Sequence, residues 1–341
     1  MRLQPALALA LLAPALLSAQ ERHVLTGASA AIWNLAGQVR VVPGTGNDVV
    51  VEVSRGGADA KRLEVILKGG QLVVRYPDNE VVYRDGDGRS SSQLSVRDDG
   101  TFGGGDYGMG RRRTTVRTYG NGLEAHADLV VKVPRGKRVE VNLALGRVEA
   151  TDVEADLRLD VHAASVTARG TKGALSIDAG SGSVRVENAS GELEVDTGSG
   201  STDLSGLQMT RVTVDAGSGS IEARNLRADR FSVDVGSGGV RVEDLTTDDL
   251  YIDTGSGSVR VELTKVPGRS EIDTGSGGVT LALPANANAE LDIDTGSGGI
   301  STDFPVTMQG FGRRELRGKI GSGGPLIQVS TGSGGVRLIK R

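Results

Sequence analysis

The residues that most resemble a catalytic motif are four copies of Asp-Thr-Gly-Ser, at 196–199, 253–256, 273–276 and 294–297. In aspartic proteases, two Asp carboxylates face each other in a cleft and share one proton, which lets them activate a water molecule. Here the Asp recurs at a regular interval along the chain. A repeated column of carboxylates contains no unique facing pair, so proteolysis is not expected. The recurring residues are Asp178, Asp196, Asp215, Asp234, Asp253, Asp273 and Asp294.

Two interpretations of this Asp row are structural. An Asp that precedes a Gly-containing turn can accept backbone N–H bonds, each contributing about 1.5–3 kcal/mol. If the repeats stack about 4.8 Å apart, adjacent carboxylates repel by roughly 1 kcal/mol, so the turn bond outweighs the repulsion. The alternative is a row of calcium ions between the same seven carboxylates, because Ca²⁺ prefers several hard oxygen ligands. The chain lacks the Gly-Gly-x-Gly-x-Asp calcium repeat, which favours the turn interpretation.

Other residue types add no catalytic set. His23, His126 and His162 are far apart and lack the spacing of zinc ligands or of a triad. Arg111–Arg113 could bind an anionic glycan or lipid headgroup, but a solvated run offset by nearby Asp98, Asp99 and Asp106 is the simpler interpretation. We therefore expect no catalytic residues, no cofactor and no enzymatic activity.

A tandem repeat is the main feature of the sequence. Gly-Ser-Gly begins at nine positions, with spacings of 18 to 21 residues through most of the series. Those positions are Gly180, Gly198, Gly217, Gly236, Gly255, Gly275, Gly296, Gly321 and Gly332. A fixed period of this length indicates one supersecondary unit per repeat.

Within one unit, short runs alternate between apolar and polar residues. Val184–Glu187 and Leu193–Asp196 each show the period of two that is typical of strands, with turn residues between them. These features predict an all-β, single-stranded β-solenoid (β-helix) of either handedness with coils of roughly 18–21 residues. Two inner columns are predicted: Leu175, Leu193, Val212, Phe231, Leu250 and Leu291; and Ile177, Val195, Val214, Val233, Ile252, Ile272 and Ile293.

The chain divides into four segments. Residues 1–20 have the charged start, apolar run and small residues of a secretory signal peptide, and no later stretch is a candidate transmembrane anchor. Residues 21–83 are predicted as degenerate solenoid coils and a cap, with Trp33 sealing the open end. Residues 84–122, rich in Gly, Ser and Arg, are predicted as a flexible insertion, and 123–341 as regular repeats with a C-terminal cap.

Composition is typical of a turn-rich repeat protein and argues against one class of partner. The 341 residues include 51 Gly, 3% aromatic residues and no Cys, and the formal net charge is −4. A thin solenoid interior accommodates few rings, and the weak negative charge argues against nucleic-acid binding. Stability must come from hydrogen bonds between coils, because no disulfide can form.

The repeats, together with segments 36–44, 130–136 and 330–340, resemble the DUF4097-type adhesin-like proteins of bacterial envelopes. The resemblance covers nearly the whole chain after residue 20. It implies a β-solenoid, usually without an assigned biochemical activity, and the word adhesin is itself an inference for that family.

Three functions follow as hypotheses. The first is a non-catalytic exported module, periplasmic or at the cell surface, that binds an envelope or surface component. The second is a scaffold that self-associates through open solenoid ends, although Val336–Arg341 places charges at the expected last edge. The third, a polysaccharide-active β-helix enzyme, would need acids clustered in one groove, whereas the central coils keep the repeat.

Overall fold

The computed structural model describes residues 20–86, 88–103, 111–312 and 314–341. The predicted signal peptide therefore lies, except for Gln20, outside the described residues, as does Asp106. Over these ranges the chain forms strands and one 3₁₀ turn, Ala60–Arg62. The strands of the first half are β1 Glu21–Leu25, β2 Ser29–Pro43, β3 Val49–Gly56, β4 Glu64–Lys68, β5 Gln71–Arg75, β6 Glu80–Val82, β7 Ser91–Arg97, β8 Arg111–Arg117, β9 Leu123–Glu124, β10 His126–Val133, β11 Arg138–Thr151 and β12 Asp156–Arg169.

The remaining strands follow the repeats. They are β13 Lys172–Ser181, β14 Val184–Glu187, β15 Ser190–Ser199, β16 Thr202–Ser205, β17 Gln208–Ser218, β18 Ile221–Ser237, β19 Val240–Ser256, β20 Val259–Leu263, β21 Arg269–Thr274, β22 Val279–Leu283, β23 Ala289–Thr295, β24 Ile300–Thr302, β25 Val306–Phe311, β26 Glu315–Ile320, β27 Leu326–Thr331 and β28 Val336–Lys340.

Each regular coil contributes one strand to each of two parallel stacks, as predicted for a β-solenoid. The first stack contains strands such as β13, β15 and β17, and the second contains β14 and β16. Strands β18 and β19 are long because each runs through the second stack and on into the next coil of the first. The alternation along each strand buries Leu193 and Val195 and exposes Glu194 and Asp196.

Both predicted inner columns are confirmed. Leu175, Leu193 and Val212 are register partners in successive coils, as are Ile177, Val195 and Val214, and all six side chains are buried. The columns also contain members that the prediction left out, including Leu157 and Leu159, the register partners of Leu175 and Ile177. Ile327 lies between Ser270 and Leu291, and Val329 lies between Ile272 and Ile293.

The Gly-Ser-Gly turn forms the corner between the two stacks. The second Gly has a positive φ, +137° at Gly200 and +140° at Gly219. A Cβ at Gly219 would lie 1.9 Å from the carbonyl oxygen of Gly200 in the preceding coil. Glycine is therefore required at this position for two reasons, the positive φ and the close approach of successive coils.

The N-terminal end differs from the predicted series of degenerate coils. Within 21–83, strand β2 stacks in parallel on β11, but β1 pairs antiparallel with β3, and β4 pairs antiparallel with β5. Trp33 lies on β2, which is flanked by β11 and β5, so it does not seal an open end. Its Nε1 donates to the carbonyl oxygen of Phe102, 3.1 Å away, in the segment predicted as an insertion.

The segment 84–122, predicted as a flexible insertion, contains strands. β7 and β8 form an antiparallel pair, and β6 and β9 complete a four-stranded sheet. The alternation of Leu94 with Val96 and the buried Val116 provide the apolar side of this sheet. The prediction of a flexible insertion is wrong for these strands, because their three apolar residues are a weak strand signal within a Gly- and Ser-rich sequence.

The last coils are stacked in an order that differs from the sequence. β27 pairs with β21 on one side and with β23 on the other, and β28 lies in the same way between β22 and β24. Residues 326–340, here called the inserted coil, therefore separate coil 269–283 from coil 289–302. The prediction that Val336–Arg341 forms the outer edge is wrong, because both sides of β28 are paired.

A hairpin, formed by β25 and β26, connects coil 289–302 to the inserted coil. β26 pairs antiparallel with β23, and β25 pairs antiparallel with β26. The Gly-Ser-Gly at 321–323 lies in the link between β26 and β27 rather than at a coil corner, which explains the irregular spacing of the last repeats.

Candidate functional site

A single outer column of the first stack carries one carboxylate in each of seven consecutive coils. Asp160 is the register partner of Asp178, and the series continues without a gap to Asp273. We call this column the acid ladder: Asp160, Asp178, Asp196, Asp215, Asp234, Asp253 and Asp273. Ser330 of the inserted coil then lies between Asp273 and Asp294. The predicted row thus gains Asp160 and is interrupted before Asp294.

The repeated sequence positions these carboxylates by alternation. The residue after each Asp points inward, and Thr197, Thr254 and Thr274 are fully buried there. In several coils the Thr hydroxyl donates to the carbonyl of the corner Gly three residues later, as from Thr295 to Gly298 at 2.9 Å. Side chains alternate between the two faces of a strand, so the Asp that precedes each inward residue lies on the outer face.

The ladder carboxylates lack partners within the described chain. None of the seven forms an ion pair or a side-chain hydrogen bond with another described residue. The turn N–H groups are used between coils instead, for example from Gly219 to the Ser237 carbonyl at 3.0 Å. The prediction that the Asp side chains accept these N–H groups is therefore wrong, because stacking in parallel register already satisfies the donors.

The outer side of the second stack has a different composition, with acids and arginines placed together. Arg224 contacts both Glu222 and Glu243, and Arg185 lies 3.3 Å from Asp203. Arg260 lies 2.8 Å from Glu262 in a later coil. We call this surface the ion-pair face.

Two depressions border these surfaces. A groove of ≈ 400 Å³ beside the acid ladder is formed where Ala174 and Ser176 lie between the longer side chains of Arg158 and Glu194. A second cleft, of ≈ 440 Å³, lies between segment 84–122 and the coil corners, with Arg89 and Ser165 on its walls. The Arg89 guanidinium lies 4.5 Å from the centre of the Tyr119 ring.

The family model for Toastrack DUF4097 matches residues 35–338. This chain belongs to the Toastrack DUF4097 family. No curated protein matches it in sequence. Among solved structures, it resembles a "putative cell adhesion protein" from Clostridium sporogenes at 10% identity, covering 94% of this chain and 100% of that one, with a TM-score of 0.21.

In this Toastrack chain, burial and mutual repulsion raise the pKa of several acid-ladder carboxyls. Burial raises the pKa of the Asp160 carboxyl, and the neighbouring Asp178 raises it further. Burial and the flanking ladder residues likewise raise the pKa of Asp196 and of Asp234. On the ion-pair face the direction is reversed, because a hydrogen bond from Arg241 lowers the pKa of Glu243.

The remaining candidate residues of the Toastrack chain do not converge. His126 lies 3.5 Å from Asp85, His23 lies 3.6 Å from Glu21, and the His162 ring packs against Phe102. No group of three or more His, Cys, Asp or Glu side chains is placed to hold a metal ion in the described ranges. The four Asp-Thr-Gly-Ser copies occupy one column of equivalent corners.

Arg111–Arg113 also have a structural context that the sequence did not predict. They begin β8, and Arg112 donates to the backbone carbonyl of Tyr76. Sequence reasoning also missed Asp160, although its coil Leu157–Val161 has the same alternation as the later repeats. The two depressions carry no local sequence signal, because each combines residues that are distant in the chain.

Proposed function

We propose that this chain is a non-catalytic, exported binding module of the bacterial cell envelope, and that the acid ladder is its binding surface. One observation carries the proposal. The fold places carboxylates in register along the first stack, where none of them forms an ion pair with another described residue, while the second stack pairs its acids with arginines. Export rests on the apolar N-terminal sequence. In the part of the chain that the structure describes, no helix has the length and hydropathy needed to cross a bilayer.

The chemistry of the ladder favours a partner that carries positive charge. Successive carboxylates are spaced by one strand separation, about 4.8 Å, along the column. Burial, and then repulsion from the neighbouring carboxylates, raise the pKa of Asp196 and Asp234. A cationic surface would relieve the repulsion, and this gain would add to the binding free energy. Such recognition is polar and depends on ionic strength.

Co-sedimentation with isolated bacterial envelope tests the proposal. The protein without residues 1–20 should pellet only when envelope is present, and less at high salt. The triple variant Asp196→Asn, Asp215→Asn, Asp234→Asn should stay in the supernatant. The matched triple variant Glu222→Gln, Glu243→Gln, Glu262→Gln removes the same charge from the ion-pair face and should still pellet. Equal pelleting of both variants would contradict a role for the ladder.

Two further arms of this assay address the alternatives. A calcium row along the ladder, the less favoured interpretation of the Asp row, is an alternative proposal for the same surface, and it predicts that a calcium chelator abolishes pelleting. Binding that needs no divalent ion would contradict it. Release of soluble sugars from a uronic-acid polymer by the pure protein would contradict the non-catalytic assignment.

Self-association through a solenoid end is the second candidate, favoured by strand β25. Its sequence, Val-Thr-Met-Gln-Gly-Phe, contains no charged residue, and Met308 is 56% exposed. Among the described strands β25 pairs only with β26, so its other edge has unpaired backbone groups. Sedimentation velocity should show larger species as concentration rises, and Thr307→Lys should suppress them. A concentration-independent monomer would exclude this scaffold.

A further inference from the structure

The inserted coil lies between coil 269–283 and coil 289–302, and we call the space between these two coils the slot. Val329 is the register partner of Ile272 on one side and of Ile293 on the other. Ile327, Val329, Val336 and Leu338 are at most 1% exposed, so this short segment supplies four core side chains. Its position depends on pairing with two coils that precede it in the sequence.

The slot recognises features that every coil shares. A Cβ at Gly334 would lie 1.8 Å from the Gly277 carbonyl oxygen, and a Cβ at Gly298 would lie 1.9 Å from that of Gly334. The three corners therefore stack directly on one another. Recognition consists of the parallel hydrogen-bond ladder, the Gly column and small apolar columns, and none of these depends on which molecule supplies the coil.

The two coils that flank the slot are equivalent to each other. Ile272 and Ile293 occupy the same inner column, and Gly277 and Gly298 occupy the same corner. If the inserted coil leaves, coil 289–302 has the sequence needed to stack on coil 269–283 in the same register. Release of the inserted coil thus need not leave an empty core, which lowers the free energy of opening.

The link that holds the inserted coil is short and rich in glycine. It consists of residues 321–325, Gly-Ser-Gly-Gly-Pro, and four of the five are exposed. Gly321, Gly323 and Gly324 all have positive φ. The side chain of Asn288 anchors the link by accepting hydrogen bonds from Ser322 N and Oγ, at 2.9 and 3.1 Å. A small change in the link angles would direct the coil away from its own slot.

From this arrangement we propose that two copies of the chain exchange their inserted coils and form a closed, domain-swapped dimer. Residues 326–340 of each copy occupy the slot between coils 269–283 and 289–302 of the other. The swapped contacts equal those within one chain, so only the link conformation and the concentration decide between the two forms. This interface is independent of the proposed envelope binding.

Engineered disulfides test the exchange, because the chain has no cysteine of its own. Glu271 and Gln328 are register partners on β21 and β27. Adjacent strand positions of this kind have Cα separations that allow a disulfide. Variants Glu271→Cys and Gln328→Cys, one carrying a peptide tag that changes its gel mobility, are mixed, unfolded in urea, refolded together and oxidised.

The mixture should yield a disulfide-linked heterodimer that increases with protein concentration. The pair Glu271→Cys with Arg337→Cys measures how much disulfide forms by random collision between chains, because Arg337 lies in the second stack and is not adjacent to Glu271. A heterodimer yield several-fold above this control supports exchange, and a yield at the control level at every concentration overturns it. The double variant Glu271→Cys, Gln328→Cys should form an internal disulfide at low concentration. Failure of that bond would contradict the slot itself and the proposal with it.

Link length provides an independent test in the full chain. Deleting Gly323 and Gly324 shortens the link, which disfavours the turn back into the chain's own slot and favours exchange. Light scattering should show a larger dimer fraction for this deletion than for the parent chain. Inserting two additional Gly residues should reduce that fraction. No change in either direction would contradict exchange through this link.

Discussion

The outer sides of the two stacks belong to the same coils but differ in the charges that are adjacent on them. Asp215 in the first stack lies between Asp196 and Asp234 in register, so like charges are adjacent. Arg224 in the second stack contacts Glu222 and Glu243, so opposite charges are adjacent. The inward residues of both stacks are similar small apolar side chains. The fold therefore constrains the inner columns and leaves the outer chemistry free to differ.

This difference shows which surface is optimised for stability. Cross-strand pairs of opposite charge stabilise a sheet modestly, and adjacent like charges destabilise it. The ion-pair face follows the first rule. The acid ladder violates it in seven consecutive coils, and such a local cost is expected at a surface that has a function.

The largest effect should come from breaking the corner that both faces share. Gly219→Ala places a Cβ 1.9 Å from the Gly200 carbonyl oxygen at a φ of +140°. We expect at least about 3 kcal/mol lower free energy of unfolding, measured by urea denaturation. Gly239→Ala is the control, since the nearest atom to its Cβ is 3.6 Å away. Equal stability of the two variants would contradict the stacked corner.

Reversing one ladder charge should stabilise the chain. Asp215→Lys replaces two repulsive neighbours with two attractive ones, and we expect a gain of about 1–2 kcal/mol at low salt. Urea midpoints measure the change. Asp203→Lys makes the same substitution on the ion-pair face. There the new lysine is repelled by Arg185 and attracted by Glu222, so the net effect on stability should be close to zero. Similar gains for both would attribute the effect to strand propensity instead.

Reversing a charge on the ion-pair face should have the opposite sign. Arg224→Glu adds a third carboxylate beside Glu222 and Glu243. We expect a loss of about 1 kcal/mol, which high salt should reduce. Arg224→Gln should cost less, because it removes the attraction without adding repulsion. Unchanged stability in both variants would show that these exposed pairs contribute nothing.

The repeated alternation made the coil and its columns predictable. Leu193 and Val195 are separated by two residues and face inward, and this local period is set by strand geometry alone. The same period places the Asp row on the opposite, outward face. It did not predict the partners of those carboxylates, because the turn N–H groups could be satisfied either within the turn or between coils.

The stacking order of the last coils was not predictable from the same pattern. Segments 275–279 and 332–336 are both Gly-Ser-Gly-Gly-Val, so either can follow a given coil with equal local compatibility. The choice depends on the hairpin β25–β26, which pairs with β23 and places the link beside the slot. That contact is distant in sequence, and periodicity contains no information about it. The strands of segment 84–122 were missed for a simpler reason. Leu94 and Val96 are isolated apolar residues in a mostly polar segment, so the alternation is too short to predict a strand.

The smallest effect we predict is a pH dependence that separates the two faces. Asp196 and Asp234 have a raised pKa in the folded chain. The folded state therefore binds more protons than the unfolded state above the unfolded pKa of about 3.9, and stability falls as pH rises through that window. Glu243 has a lowered pKa, so its stabilisation is present at neutral pH and is lost as pH falls through the folded value.

The variant Asp196→Asn, Asp234→Asn isolates the ladder contribution. Because both carboxylates are largely exposed and screened, it should be more stable than the parent by up to about 1 kcal/mol near pH 7. Near about pH 3 the carboxyls are protonated in both states of the parent, so the difference should disappear. Glu243→Gln should behave in the opposite way, with a loss at neutral pH that vanishes in acid. A difference between the ladder variant and its parent that is the same at both pH values would indicate altered packing and would remove repulsion as the distinction between the faces.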